Sequence, residues 1–145
     1  MAVGSCTIPR VARSVEYRWR GPITDAEMVA LVRAHGGHAA TGWWEQVRPF
    51  SLGWVTARLL GGRLVGFVNV AWDGGDHAFL LDTKVDSDQQ RRGIGTELVR
   101  HATAHAKAAG CEWLHVDFED HLDVFYFEAC GFRATQAGLI HLAES

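Results

Sequence analysis

Residues Asp86 to Gly110, DSDQQRRGIGTELVRHATAHAKAAG, join a glycine-punctuated turn to the clearest amphipathic run in the chain. Ile94, Leu98, Ala102, His105 and Ala109 recur at helical spacing, with Arg100, Thr103 and Lys107 off that stripe. The spacing predicts a helix from about Gly93 to Gly110. Gly93 and Gly95 take side chains away from its mouth, where the first turn of a helix carries backbone N–H groups without internal partners. Arg91 and Arg92 flank the positive end of the helix dipole, so the turn suits a phosphate or pyrophosphate. A glycine pair by itself serves packing or turn geometry as readily as an anion, and the surrounding chain has to decide.

Upstream, Val15 to Arg20 alternates apolar and polar residues and reads as a first strand closed by Gly21-Pro22. Thr24 and Glu27 have the spacing of a capping box that opens a helix, with Met28, Leu31, Val32 and His35 as its buried stripe and Gly36-Gly37 as its stop. His38 to Phe50 shows no clean period; a second short helix is expected, with one of Trp43 and Trp44 buried and the other shielding loop backbone. Ser51 to Leu60 and Arg63 to Trp72 read as a hairpin about Gly61-Gly62, and Asp73-Gly74-Gly75-Asp76 turns into a third strand, His77 to Val85. Beyond the central helix, Cys111 to Phe118 is expected as a strand parallel to the one before it. A helix over Leu122 to Cys130 and a last strand near Gly138 to Leu142 complete the α/β reading.

The chain of 145 residues, 48% hydrophobic, suffices for one core, so residues 1–145 are expected to form a single domain. A formal charge of −3 gives no general attraction to nucleic acid. No run is long and apolar enough for a membrane span, and the N-terminal residues lack the apolar core of a signal peptide, which points to the cytoplasm. Cys6, Cys111 and Cys130 lack metal-ligand spacing and are expected as reduced thiols. The histidines show no metal-binding pattern, no metal is expected, and His35, His38, His101, His105 and His141 read as surface or packing residues.

Gln90-x-x-Gly93-x-Gly95, placed after a strand and before a long helix, resembles the acetyl-CoA-binding motif of the GCN5-related N-acetyltransferase (GNAT) superfamily. Leu114-His115-Val116, Asp120 and Glu128-Ala-Cys-Gly-Phe132 sit about where that family carries its next strand, a polar residue after it, and its terminal helix and Gly-Phe turn. The resemblance covers roughly residues 50 to 135. It implies a mixed, mostly antiparallel sheet flanked by helices, with two parallel strands splayed around the pantetheine arm of acetyl-CoA. It also implies that the backbone of Arg91, Arg92, Gly93, Ile94, Gly95 and Thr96, with Gln90, holds the pyrophosphate. The strand Thr83, Lys84, Val85 would pair with the pantetheine amides, and Asp120 and Phe127 would lie along the arm.

The family register puts Phe79 where the histone-acetylating members carry a catalytic glutamate, so a base must come from elsewhere. By period two, His115, Asp117 and Glu119 share a strand face, with Asp82 on the preceding strand; they are equally readable as a proton relay or as a solvated polar face. Counting back from Gly131 places Phe127 where many members carry an acidic tyrosine, and one extra helical residue would bring Tyr126 there instead. Asp73, Asp76, Asp117, Glu119, Asp120 and Asp123, with Trp43, Trp44 and Trp72, suggest an electronegative, aromatic-rimmed cleft for a cationic small-molecule amine. The expected reaction is direct acetyl transfer in a ternary complex, with a homodimer as a possible assembly. A larger acyl donor, a protein amino terminus as acceptor, and a silent acyl-CoA sensor are the alternatives.

Overall fold

The computed structural model describes residues 14–143; Cys6 lies outside them. Five strands form one sheet in the order β1-β2-β3-β4-β5. β1 (Val15–Trp19), β2 (Ser51–Leu59), β3 (Leu64–Trp72) and β4 (His77–Val85) make an antiparallel meander, and β5 (Trp113–Val116) joins β4 in parallel. Between β4 and β5 the chain crosses through α3 (Ile94–Ala108), because a parallel partner cannot be reached by a tight turn.

Alternation along the strands builds two cores. One face of the sheet packs Val55, Val68, Val70, Ala78 and Leu80 against Ile94, Leu98, Val99 and Ala102 of α3. The other packs Phe67 and Leu64 against Met28, Leu31 and Val32 of α1 (Asp25–His35) and Trp44 of α2 (Trp43–Val47). Trp44 is fully buried, wedged edge-on between Trp54 and Phe67, while Trp43 is half-buried. Buried Asn69 is satisfied by the Ser51 hydroxyl, which donates to its Oδ1 at 2.6 Å.

Two devices set the helices against the sheet. His101 and His105 of α3 stack on Tyr17 and Trp19 of β1, with ring centroids 5.1 and 4.4 Å apart. Thr24 and Glu27 close the capping box of α1, and Arg58 of β2 donates to both Glu27 oxygens at 2.7 and 3.0 Å. The same guanidinium bonds the carbonyls of Pro22 and Gly62, so it clamps the start of α1 to the β2–β3 hairpin.

Several elements differ from the sequence expectation. The stripe of α3 runs through Val99 and Ala106 rather than Ala109, which is exposed, and the helix ends at Ala108. β5 spans only four residues, and the chain from Leu122 to Cys130 is a 3₁₀ turn, Asp120–Leu122, followed by a π-helical segment, Val124–Ala129. No strand forms over 138–142: the alternating pattern is present, but β5 is the last strand of the sheet and the segment pairs with none. Among the described residues no helix is long and apolar enough to cross a membrane.

The Arg58 hydrogen bonds hold the Glu27 carboxyl at a pKa of about 2, below its usual 4.5. The unfolded chain therefore takes up this proton first, and the clamp stabilises the fold fully above pH 4.5 and loses that contribution as the pH falls toward 2. Urea unfolding should show stability declining more steeply across this window in the wild type than in Glu27→Gln. Parallel curves for the two proteins would contradict the assignment.

Candidate active site

β4 and β5 pair only from His77 opposite Trp113 to Leu80 opposite Val116. Beyond that point β4 runs on to Val85 while β5 has ended, so the two chains part. Asp82 sits at the parting with φ of +58°, where the β3–β4 register also shifts between Phe67 and Asn69. The main-chain groups of β4 beyond Leu80 thereby lose a sheet partner on the β5 side.

The parting opens into a cavity of about 360 Å³ lined by Thr83 and Val85 of β4, by Gln90, Arg91, Gly93, Ile94, Gly95 and Thr96 of the glycine turn, and by His35, Leu122, Phe125 and Tyr126. Gly93 is the N-cap of α3 in a left-handed conformation, φ +79°, and no side chain caps the helix there. The first intrahelical bond runs from the Glu97 N–H to the Gly93 carbonyl, which leaves the amides of the first turn without helical partners. A Cβ on Gly93 would meet nothing within 4 Å, whereas one on Gly95 would press to 3.2 Å on the Phe125 ring. Gly95 therefore lets the π-helical segment close against the mouth of α3, and Gly93 supplies the left-handed turn.

Tyr126 is buried at the back of the cavity, and its hydroxyl donates to Thr83 Oγ1 at 3.4 Å. Its ring stacks on Phe118 at 4.6 Å and meets Phe125 and Phe132 edge-on. Burial raises the phenol pKa above its ordinary value, against a smaller downward pull from the Thr83 bond, so the hydroxyl keeps its proton at neutral pH. The i to i+5 bond from the Cys130 N–H to the Phe125 carbonyl marks the extra residue per turn that brings Tyr126 inward. Phe127 is turned the other way, into an open groove of about 990 Å³ beside β5.

That groove also takes Phe79, Trp113, His115, Asp117 and Phe118. Phe79 and His115 are cross-strand partners, and their rings stack at 4.8 Å. Glu119 is not with them; its carboxylate points to solvent and pairs with His121 at 3.5 Å. Asp120 opens the 3₁₀ turn and lines neither cavity.

The charges divide similarly. Arg92 bonds Gln89, and Arg100 is held by Glu97 at 2.8 Å, which leaves Arg91 as the arginine of the turn that lines the smaller cavity. Lys84 faces away from it: its ammonium lies over the Trp43 ring at 5.3 Å and 3.8 Å from Asp82. Burial lowers its pKa, with Asp82 opposing.

His35 was readable in the sequence only as part of a helix stripe. Its Nδ1 lies 3.0 Å from the Val85 carbonyl oxygen and 3.3 Å from the Val85 backbone nitrogen, and Gln90 Nε2 donates to the same carbonyl at 3.4 Å. The Asp86 N–H bonds Val65 on β3, so alternation aims the Val85 groups at the opposite side, toward the parting.

The family model for the acetyltransferase (GNAT) family matches residues 19–132. A probable acetyltransferase of meticillin-resistant Staphylococcus aureus shares the fold with a TM-score of 0.76 at 23% identity, over 88% of this chain and 98% of that one. A GNAT-family acetyltransferase of Streptococcus pneumoniae does so with a TM-score of 0.76 at 23% identity, over 91% and 100% of the two chains. A GNAT-family N-acetyltransferase of Escherichia coli in complex with CoA gives 0.70 at 19% identity, over 89% of this chain and 73% of that one. No curated protein sequence matches the chain. With a parted pair of parallel strands at an uncapped glycine turn, and with the family model spanning most of its length, the chain belongs to the GNAT family of acetyltransferases, which use acetyl-CoA as co-substrate.

Proposed function

We propose that this acetyltransferase is a single-domain cytoplasmic enzyme that moves the acetyl group of acetyl-CoA to a primary amine of a small molecule, by direct attack in a ternary complex. The observation that carries the reading is the parting of β4 from β5 after Leu80 and Val116, with a protonated tyrosine and an uncapped helix mouth on one cavity.

In this reading the amides of Gly93 to Thr96 hold the pyrophosphate, where the dipole of α3 and the Arg91 guanidinium favour negative charge. Thr83 and Val85 offer their main chain to the pantetheine amides as a missing strand would. Tyr126 gives its proton to the departing thiolate, a role that suits a phenol kept neutral by burial. Direct attack is favoured over an acyl-enzyme because burial raises the pKa of both described thiols, that of Cys130 to about 11. The acceptor approaches from the face of Phe79 and His115. Asp73 and Asp117 add negative charge on that side, and Trp113 an aromatic wall, which suits a cationic amine.

Incubation with acetyl-CoA and a panel of polyamines, amino sugars and amino acids should release free CoA only when a small amine is present. Release that requires a protein amino terminus would overturn the acceptor class. Tyr126→Phe should lower kcat about 10- to 100-fold with an unchanged KM for acetyl-CoA, because a thiolate leaves readily and needs only modest acid help. Unchanged kcat would return Tyr126 to a packing role.

His35 bears on the same cavity, since its ring engages the main-chain groups of Val85 that the pantetheine would take. His35→Ala removes that competition at the scale of one hydrogen bond and should tighten CoA binding about 3- to 10-fold by titration calorimetry. Weaker binding would make His35 a direct contact of the cofactor instead.

A further inference from the structure

With a phenylalanine where the histone-acetylating members carry a glutamate, the proton of the acceptor amine needs another route, and a second histidine stands beside the first. His77 of β4 and His115 of β5 lie on one face of the sheet, with His77 Nδ1 2.8 Å from His115 Nε2 and ring centroids 5.0 Å apart. Phe79 stacks on the His115 ring. His115 thus touches both rings, one residue short of Val116, the last residue of β5 to pair with β4.

We propose that His77 is a positioning residue for His115, fixing the tautomer in which His115 Nδ1 is the basic nitrogen that takes the proton of the acceptor amine. This rests on the acetyltransferase reading above and adds a residue to it. A hydrogen bond between two neutral imidazoles requires one N–H. If His77 donates it, the His115 proton sits on Nδ1 and that nitrogen is not a base. If His115 donates its Nε2–H, Nδ1 is free.

The amine nitrogen then forms the C–N bond to the thioester carbonyl carbon and the C–S bond breaks. The surplus amine proton passes to His115 Nδ1, and the thiolate is protonated by Tyr126, whose phenolate regains a proton from water. The imidazolium shares its charge across the short bond to His77 and later releases the proton to water from its exposed face.

Asp73 supports the charged pair. Its Oδ1 accepts the backbone N–H groups of Gly75 and His77 at 2.8 and 3.2 Å. These bonds hold its carboxyl below the usual range, with the His77 ring contributing, so it stays ionised beside that ring. The other charged groups around the pair are Asp76 in the same turn, Asp117 two residues along from His115, and Arg133, which lies over Trp113. Three of the four are acidic and stand as counter-charges to an imidazolium formed here.

The test combines long-range ¹H–¹⁵N NMR of the imidazoles with kcat and KM measurements on the full chain and on His77→Ala, His77→Gln and His115→Ala. The wild type should show His115 as the Nε2–H tautomer. His77→Ala should give a tautomer mixture and a kcat about 10-fold lower at unchanged KM for acetyl-CoA. His77→Gln, whose amide oxygen still accepts the Nε2–H, should restore the tautomer and most of kcat. A lowered kcat in His77→Ala with the tautomer unmoved, or full activity in His115→Ala, would overturn the proposal. Failure of the wild type to release CoA with any amine would instead sink the parent reading, while the tautomer spectrum still decides whether His77 orients His115.

Discussion

A buried or half-buried backbone group has to find a hydrogen-bond partner, and the pairing of β4 with β5 leaves a stretch of β4 without one. Four residues of each strand are paired, and then β4 continues to Val85 with β3 as its remaining strand partner. In the absence of a neighbouring strand on the β5 side, the main chain of Val85 is met by His35 and Gln90, both from outside the sheet. This pairing capacity, taken up by side chains rather than by a strand and set at the mouth of a helix that no side chain caps, is what an elongated amide-bearing cofactor with a diphosphate at one end can satisfy.

The elements around the parting are anchored by contacts elsewhere on the sheet. α3 cannot drift across the sheet because two of its histidines lie flat on β1 aromatics. α1 is pinned through Glu27 to Arg58, so its last residue, His35, is delivered to the cavity wall. The π-helical segment closes the back, its Phe125 ring resting where a side chain on Gly95 would otherwise be. Tyr126 and Thr83 line the cavity at the parting, whereas Phe79 and His115 line the separate groove beside β5.

Features set by neighbours in the chain were legible in the sequence: the amphipathic stripe of α3, the capping box of Thr24 and Glu27, the glycine turns of the meander. The family motif rests on the same local information, and it placed the glycine turn and the flanking strands. What escaped was set by packing at a distance. One extra residue in a helical turn has no composition signal, so Phe127 and Tyr126 were indistinguishable until Phe118, Phe125 and Phe132 were seen to enclose the tyrosine. The alternating run at 138–142 has the pattern of a strand but not the partner that makes one. His77 and His115 are brought together only by the parallel register, and His35 reaches Val85 across 50 residues of chain.

The account stands on the claim that bare amides at the start of α3 take the diphosphate and that β4 takes the pantetheine as a strand. A crystal structure of the protein with CoA tests this directly. It should show phosphate oxygens within hydrogen-bonding distance of the backbone nitrogens between Gly93 and Thr96, the arm running between β4 and the segment after Val116, and the His35 ring displaced from Val85. CoA bound along the groove at the outer edge of β5, with His35 still on Val85, would contradict it.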